Sequence, residues 1–117
     1  MGADVDMDNP KVVEELVRWG RWYAQTTGLD GYRLDAVKHI DYSFFEKWLD
    51  AIREEMVRDA FAVGEYWTYN LGELLNYMHE TGGRMSLFDV PLHFNFYNAS
   101  HGGGGYDMGS IFNNTLI

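Results

Sequence analysis

The sequence contains no cysteine and no long apolar run among its 117 residues. The first absence excludes disulfides and thiolate metal sites, but it does not decide the compartment, so secreted and cytoplasmic locations both stay open. Because no run of about 18 apolar residues occurs, we expect no membrane-spanning helix and no membrane partner.

Basic residues are also scarce. Nine Lys and Arg residues stand against eighteen Asp and Glu residues, which gives a formal net charge of −9. Since phosphate binding requires a basic surface, this balance argues against a nucleic-acid partner. An ordinary acidic surface explains the charge without any ligand, and the balance is equally compatible with a neutral substrate or a cation.

Apolar and aromatic residues, by contrast, are abundant. They make up 46% and 16% of the sequence, so the chain is not disordered. Most of the rings are expected in a core, and the remainder would suit a site at which aromatic rings stack on sugars. At this length the chain fits one small domain or a piece of a larger one.

Helical and strand patterns alternate along the chain. The predicted helices cover Pro10–Thr27, the residues from Ser43 to just before Phe61, and Leu71–Glu80, and the predicted strands cover Tyr32–Val37, Phe61–Trp67 and Ser86–Val90. Asn9, Ser43 and Asn70 are the predicted N-caps of the three helices, and Gly28 suits the position after the end of the first. This alternation predicts a parallel sheet with helices outside it. Three strands leave both edges of such a sheet open, so we expect an interior piece of a larger α/β protein.

The pattern becomes less regular after Pro91. The aromatic segment from His93 to Ser100 predicts no particular element. Its neighbour, His101–Tyr106, is rich in glycine and is predicted to be a flexible loop. A short helix is predicted over Asp107–Leu116.

Two carboxylates are predicted at neighbouring strand ends. Asp35 follows Arg33 at the end of the first strand, and Glu65 lies near the end of the second, one βα unit later. Active-site groups of parallel barrels lie at the carboxyl ends of strands, and adjacent strands are about 4.8 Å apart. The two acids could therefore reach the roughly 5–5.5 Å separation of a retaining glycosidase. A structural Arg33–Asp35 pair with Glu65 as a capping or surface acid stays open as the alternative.

The neighbours of these acids suggest different roles for them. Arg33 would keep Asp35 ionised, because a nearby cation favours a carboxylate. Tyr66 and Trp67 flank Glu65, and an apolar ring environment would favour a proton donor.

Near the start of the chain, Asp4 alternates with Asp6 and Asp8. Carboxylate oxygens are the ligands that a hard cation such as calcium prefers, but the three acids do not match the EF-hand loop, which needs a glycine and a distal glutamate. On the sequence alone, a solvated acidic turn is the favoured interpretation.

The stretch Gly31-Tyr-Arg-Leu-Asp-Ala-Val-Lys-His39 resembles the fourth-strand motif of the alpha-amylase family, glycoside hydrolase family 13, and Gly64-Glu-Tyr-Trp67 is similar to its fifth-strand motif. Phe88–His93 and the Gly-Gly-Tyr-Asp-Met run ending at Met108 resemble the bacterial liquefying members. The resemblance covers essentially the whole chain. It implies a partial (β/α)8 TIM barrel, about helix 3 through helix 6, in which residues 1–117 are a fragment of the catalytic domain with no complete second domain.

The resemblance also implies a role for each site residue. Asp35 would be the nucleophile and Glu65 the general acid/base of a retaining enzyme that hydrolyses internal α-1,4-glucosidic bonds of starch or glycogen. The residues implied in substrate binding are Arg33, Lys38, His39, Tyr66 and Trp67. Calcium would be the cofactor, bound by the side chain of Asp4 and the backbone carbonyl of His39. The full-length protein would be a monomer that acts on α-glucan polysaccharides or oligosaccharides.

Two other functions stay open. A glucanotransferase or another alpha-glucosidase of the family would share the strand motifs, and a non-catalytic carbohydrate-binding fragment would share the fold. The family's third essential acid follows its seventh strand and has no counterpart in this sequence. We therefore expect the isolated chain to be nearly inactive on starch, and we expect it to be poorly soluble because its helices have lost their barrel neighbours.

Overall fold

A computed structural model of the chain describes residues 5–56 and 60–117. Within these residues, parallel strands alternate with helices, as predicted. The helices are α1 (Pro10–Thr27), α2 (Tyr42–Glu55), α3 (Leu71–Glu80) and α4 (Val90–Gly102), and the strands are β1 (Gly31–Leu34), β2 (Phe61–Gly64) and β3 (Ser86–Leu87). Single 3₁₀ turns form at Val37–His39, Gly103–Gly105 and Met108–Ser110.

The three strands form one parallel sheet in the order β1-β2-β3. In the first pair, Gly31 lies opposite Phe61 and Leu34 lies opposite Gly64. β3 pairs only with the end of β2, where Leu87 lies opposite Gly64. Because the carboxyl ends are aligned, the residues that follow each strand meet along one edge of the sheet.

The core lies between the sheet and the helices that flank it. Leu49 and Ile52 of α2 and Leu74 of α3 are fully buried there. α1 packs closely on α2 at Gly20, where an added Cβ would lie 2.7 Å from Ile52 Cδ1 and 2.8 Å from Trp48 Cζ2. Only a residue without a side chain fits this contact. No helix in the described ranges has both the length and the apolarity needed to cross a membrane.

The ends of α1 and α3 agree with their sequence signals. Asn9 accepts a hydrogen bond from the Lys11 amide, and Gly28 ends α1 in a left-handed conformation with φ 64°. Asn70 accepts from the Gly72 amide and donates to the Glu73 carboxylate. Both predicted helices are therefore confirmed over their full length.

The predicted N-cap of α2 is wrong. The N-cap is Asp41, whose carboxylate accepts a hydrogen bond from the Ser43 amide at 2.9 Å, and the helix begins at Tyr42. A carboxylate at the positive end of a helix is stabilised by both the hydrogen bond and the helix dipole. Hydrogen bonding from the Ser43 side chain and from the Ser43 amide lowers the pKa of Asp41.

All three strands end earlier than predicted. β1 ends at Leu34 because Ala36 takes a left-handed conformation with φ 47°, and a 3₁₀ turn follows it. β2 ends at Gly64 and β3 at Leu87. Asp35 and Glu65 are therefore the first residues beyond their strands.

The segment after Pro91 is a helix that the sequence did not reveal. The Asp89 carboxylate accepts from the Leu92 amide at 3.0 Å, and Pro91 occupies the first turn, where its missing N–H costs nothing. The predicted flexible loop at His101–Tyr106 is wrong, because helical structure continues to Gly105. A ring contact of 4.1 Å between Tyr97 and His101 supports the last turn of α4.

The predicted helix over Asp107–Leu116 is also wrong, since only Met108–Ser110 forms a 3₁₀ turn there. The side-chain amide of Asn95, on α4, donates to the carbonyl oxygens of Ile111 and Asn113, at 2.9 and 3.1 Å. Asn114 has a left-handed φ of 55°. Carbonyls that a helix would use are thus bound to a distant side chain instead.

The chain is flatter than a self-contained domain. Its radius of gyration is 17.2 Å, whereas a compact domain of about 100 residues has roughly 13 Å. Large rings such as Trp19, Trp22 and Phe61 are more than half exposed. The described residues therefore form an open, layered structure rather than a compact globule.

Replacement of Gly20 by alanine tests the contact between α1 and α2. Alanine usually stabilises a helix interior by about 1 kcal/mol relative to glycine. Here the added Cβ would collide with Trp48 and Ile52, so we expect Gly20→Ala to lower the free energy of unfolding by about 1–2 kcal/mol in urea denaturation. Gly104→Ala, whose Cβ would meet no atom within 4 Å, is the control. A stabilising Gly20→Ala would contradict this packing.

Candidate active site

Asp35 and Glu65 lie side by side at the carboxyl edge of the sheet, as predicted. The Glu65 amide donates to the Leu34 carbonyl at 2.8 Å, so the pairing of β1 with β2 continues one residue past the strand. The Asp35 side chain is 71% exposed and that of Glu65 27% exposed. One acid is therefore open to a ligand, and the other is partly enclosed.

A single arginine contacts both acids. Arg33 Nη1 lies 2.6 Å from Asp35 Oδ1, and Arg33 Nη2 lies 3.3 Å from Glu65 Oε1. The Arg33–Asp35 contact was predicted, whereas the contact with Glu65 was not. Half-exposed ion pairs contribute little to stability, but the rigid guanidinium fork fixes the relative position of two carboxylates. The contacts with Arg33, rather than burial, therefore hold Asp35 and Glu65 in position relative to each other.

The turn after β1 holds Glu65 from the other side. The Ala36 amide donates to Glu65 Oε2 at 3.2 Å, and the Val37 amide donates to the Glu65 carbonyl at 3.1 Å. Ala36 can point its amide there because its φ is 47°, a conformation that costs an L-residue roughly 1–2 kcal/mol. Strained backbone of this kind concentrates at functional sites. Sequence reasoning missed Ala36, because an alanine carries no signal for a left-handed turn.

Two contacts tie the loop after β1 to the loop after β2 and to α3. Lys38 Nζ donates to the Trp67 carbonyl at 2.9 Å. The Tyr77 hydroxyl of α3 donates to the Val37 carbonyl at 3.4 Å, and its ring packs on Tyr66 at 4.9 Å. Burial raises the pKa of Tyr77, so the hydroxyl stays protonated and remains a donor.

The rings next to Glu65 pack mainly on other rings. Trp67 contacts His93 and Phe94, with centroid distances of 5.3 and 6.0 Å, and 47% of it is exposed. The Glu65 carboxylate forms an ion pair with Arg33 and accepts a hydrogen bond from the Ala36 amide. The proton-donor role expected from apolar surroundings therefore stays a prediction.

The predicted calcium ligands lie only partly within the described residues. Asp4 is outside them, and His39 is the exposed last residue of the 3₁₀ turn beside Arg33 and Asp35. Residues 5–56 and 60–117 contain no group of three or more His, Asp or Glu side chains that could hold a metal. Calcium takes about six to eight oxygen ligands, so the described residues alone do not form a calcium site.

The edge of the sheet thus carries two carboxylates, Asp35 and Glu65, the Arg33 guanidinium that contacts both, and the half-exposed ring of Trp67. A parallel α/β sheet with two carboxylates at adjacent strand ends is the arrangement of a barrel glycosidase. Comparison with known sequences agrees: residues 2–109 match the family described as "Alpha amylase, catalytic domain". The chain belongs to the alpha-amylase family.

Individual relatives support this assignment over the whole chain. The chain is 55% identical over 117 residues to an alpha-amylase of Geobacillus stearothermophilus and 54% identical to a glucan 1,4-alpha-maltohexaosidase of Bacillus sp. (strain 707). It covers 21% and 23% of their lengths, or about a fifth of each relative. The solved alpha-amylase of Malbranchea cinnamomea superposes with a TM-score of 0.76 over 95% of this chain and 22% of its own, at 21% identity. The predicted fold class, part of a (β/α)8 barrel, is thereby confirmed.

Substitutions at Ala36 test the left-handed turn that holds Glu65. Ala36→Gly keeps the amide and removes the backbone strain, so we expect it to raise the free energy of unfolding by up to about 1 kcal/mol. Ala36→Val places a branched side chain in the same conformation and should lower it by about 1–2 kcal/mol. Urea denaturation of both variants measures the difference. Equal stability of the two variants would contradict a left-handed Ala36.

Proposed function

We propose that this chain is the section of a retaining alpha-amylase barrel that carries the nucleophile and the general acid/base. The whole protein would hydrolyse internal α-1,4-glucosidic bonds of starch or glycogen. The contact of one guanidinium, that of Arg33, with both Asp35 and Glu65 is the observation that carries this proposal. It supports a pair of acids that work on the same bond.

Asp35 is the proposed nucleophile because its carboxylate is largely exposed and ion-paired. It would attack the anomeric carbon and form a glycosyl ester, while Glu65 gives a proton to the departing glycosidic oxygen. Glu65 would then take a proton from water, which attacks the same carbon and releases Asp35. Two displacements at one carbon return the original anomeric configuration.

Arg33 would serve both stages of this reaction. Its Nη1 contact orients Asp35 for attack and stabilises the carboxylate again when the ester is cleaved. Its Nη2 contact with Glu65 keeps the second acid within reach of the same bond. Such positioning contributes to catalysis without any chemical step of its own.

The remaining proposed binding residues lie on the loops that follow β1 and β2. Trp67 is about half exposed and would offer a ring face to a sugar, and Tyr66 packs against Tyr77. Lys38 holds the Trp67 loop through the Trp67 carbonyl. Together with His39, these side chains would contact the glucan next to the cleaved bond.

Calcium is the proposed cofactor on the strength of the family resemblance. The side chain of Asp4 and the backbone carbonyl of His39 would each supply an oxygen, and the other ligands would come from elsewhere in the protein. No step of the proposed reaction depends on the ion. Its role would be to fix the turn after β1, which also carries Ala36.

Transglycosylation is the second candidate, because a glucan hydroxyl in place of water would give transfer with the same acids. The names of two similar relatives, alpha-amylase and glucan 1,4-alpha-maltohexaosidase, favour cleavage of α-1,4-glucan. Incubation of the full-length protein with maltoheptaose separates the two. Shorter products alone indicate hydrolysis, and products longer than seven units, the length of the substrate, indicate transfer.

Substitution of each acid tests the proposed roles. We expect Asp35→Asn and Glu65→Gln to lower kcat on starch at least about 10³-fold in the full-length protein, because each removes a group that reacts in the transition state. Asp30→Asn, at the opposite end of β1, is the matched control and should retain activity. NMR of the first product should show the α-anomer, and a β-anomer would contradict a retaining mechanism.

Chelation tests the proposed calcium site independently of activity. EDTA should lower the thermal midpoint of the full-length protein, and added calcium should restore it, because an ion that binds only the folded state stabilises that state. Asp4→Asn should reduce this response, whereas Asp30→Asn should not. An unchanged midpoint in EDTA would contradict the proposal.

A further inference from the structure

A cleft of about 370 Å³, lined by both amide and apolar groups, lies between α4 and the last residues of the chain. Four asparagines (Asn95, Asn98, Asn113 and Asn114) and the rings of Tyr69 and Phe94 line it, together with one proline. We infer that this amide cleft binds a glucosyl unit of the α-glucan beyond the bond that is cleaved. The inference rests on the proposed function, since it extends the same substrate.

Hydrogen bonds hold one of the four amide groups of the cleft, that of Asn95, and leave the other three available to a ligand. Asn95 gives its NH₂ group to the carbonyls of Ile111 and Asn113, which leaves its carbonyl oxygen as an acceptor. Within the described part of the chain, the side chains of Asn98, Asn113 and Asn114 make no hydrogen bond to the protein. The cleft thus presents several free donors and acceptors on one surface.

The chemistry of the lining selects a neutral ligand rich in hydroxyl groups. None of the residues that line the cleft in the described structure is charged. Ions would find no countercharge here. A sugar hydroxyl both donates and accepts, as an asparagine amide does, so the two groups can pair in either direction. The volume lies within the roughly 300–1,000 Å³ of small-molecule sites.

Aromatic rings connect the cleft to the acids. Tyr69 is 78% exposed, and its ring lies edge-on to Phe94 at 6.3 Å. Phe94 in turn contacts Trp67 at 6.0 Å, two residues from Glu65. Apolar sugar faces could pack along this row. A glucan long enough to pass Trp67 would therefore reach the amide cleft.

Removal of the three free amides tests the inference in the full-length protein. Asn98→Ala suits a helix, Asn113→Ala removes only a side chain, and Asn114→Gly keeps the left-handed φ. For the triple variant we expect kcat/KM on maltoheptaose to fall about tenfold, with 4-nitrophenyl α-maltotrioside unaffected. The short substrate would occupy the acids without extending to the cleft. Asn76→Ala, an exposed asparagine of α3, is the matched control and should change neither value.

Two kinetic outcomes would overturn the amide cleft: equal values for the triple variant and the parent on both substrates, or an equal loss on both. A parent that hydrolyses neither substrate would instead contradict the proposed function. In that case, calorimetric titration with maltoheptaose measures directly whether the amide cleft binds glucan. Weaker binding by the triple variant than by Asn76→Ala would support it, and equal binding would overturn it.

Discussion

The hydrogen bonds between Glu65 and the turn after β1 are the constraint on which the site depends. The Glu65 amide binds the Leu34 carbonyl, its own carbonyl binds the Val37 amide, and its carboxylate binds the Ala36 amide. Each of these bonds requires the parallel register of β1 and β2. Without that register, Arg33 could not reach both carboxylates, and the two acids would be separate surface charges.

Packing beneath the edge of the sheet keeps this arrangement in place. Val37 of this turn is fully buried, and Gly64 leaves room for it, since a Cβ at Gly64 would lie 3.3 Å from Val37 Cγ1 and 2.7 Å from Met85 Sδ. Tyr77 fixes the Val37 carbonyl from α3. The exposed acids therefore stand on a close-packed layer, which is how a polar, solvent-accessible site can be rigid.

The sequence predicted those features that local chemistry determines. The ends of α1 and α3 followed from Asn9, Gly28 and Asn70, and the positions of Asp35 and Glu65 followed from the alternation of elements. Sequence reasoning failed where distant contacts decide the structure. The Asn95 amide prevents a helix after Asp107, and the left-handed Ala36 shortens β1. Neither the contact of the asparagine nor the conformation of the alanine can be predicted from the residue type. α4 was missed because its aromatic and amide residues lack a clear apolar period.

Covalent trapping tests the central claim, that Asp35 and Glu65 act as one nucleophile and acid pair, most directly. The full-length protein would be incubated with 5-fluoro-α-glucosyl fluoride, which forms the glycosyl ester readily but releases it slowly, and its peptides would be sequenced by mass spectrometry. The account predicts one glycosyl group on Asp35, with longer retention in Glu65→Gln, because water then lacks its base. A group on another residue, or no adduct in a protein that remains active, would contradict it.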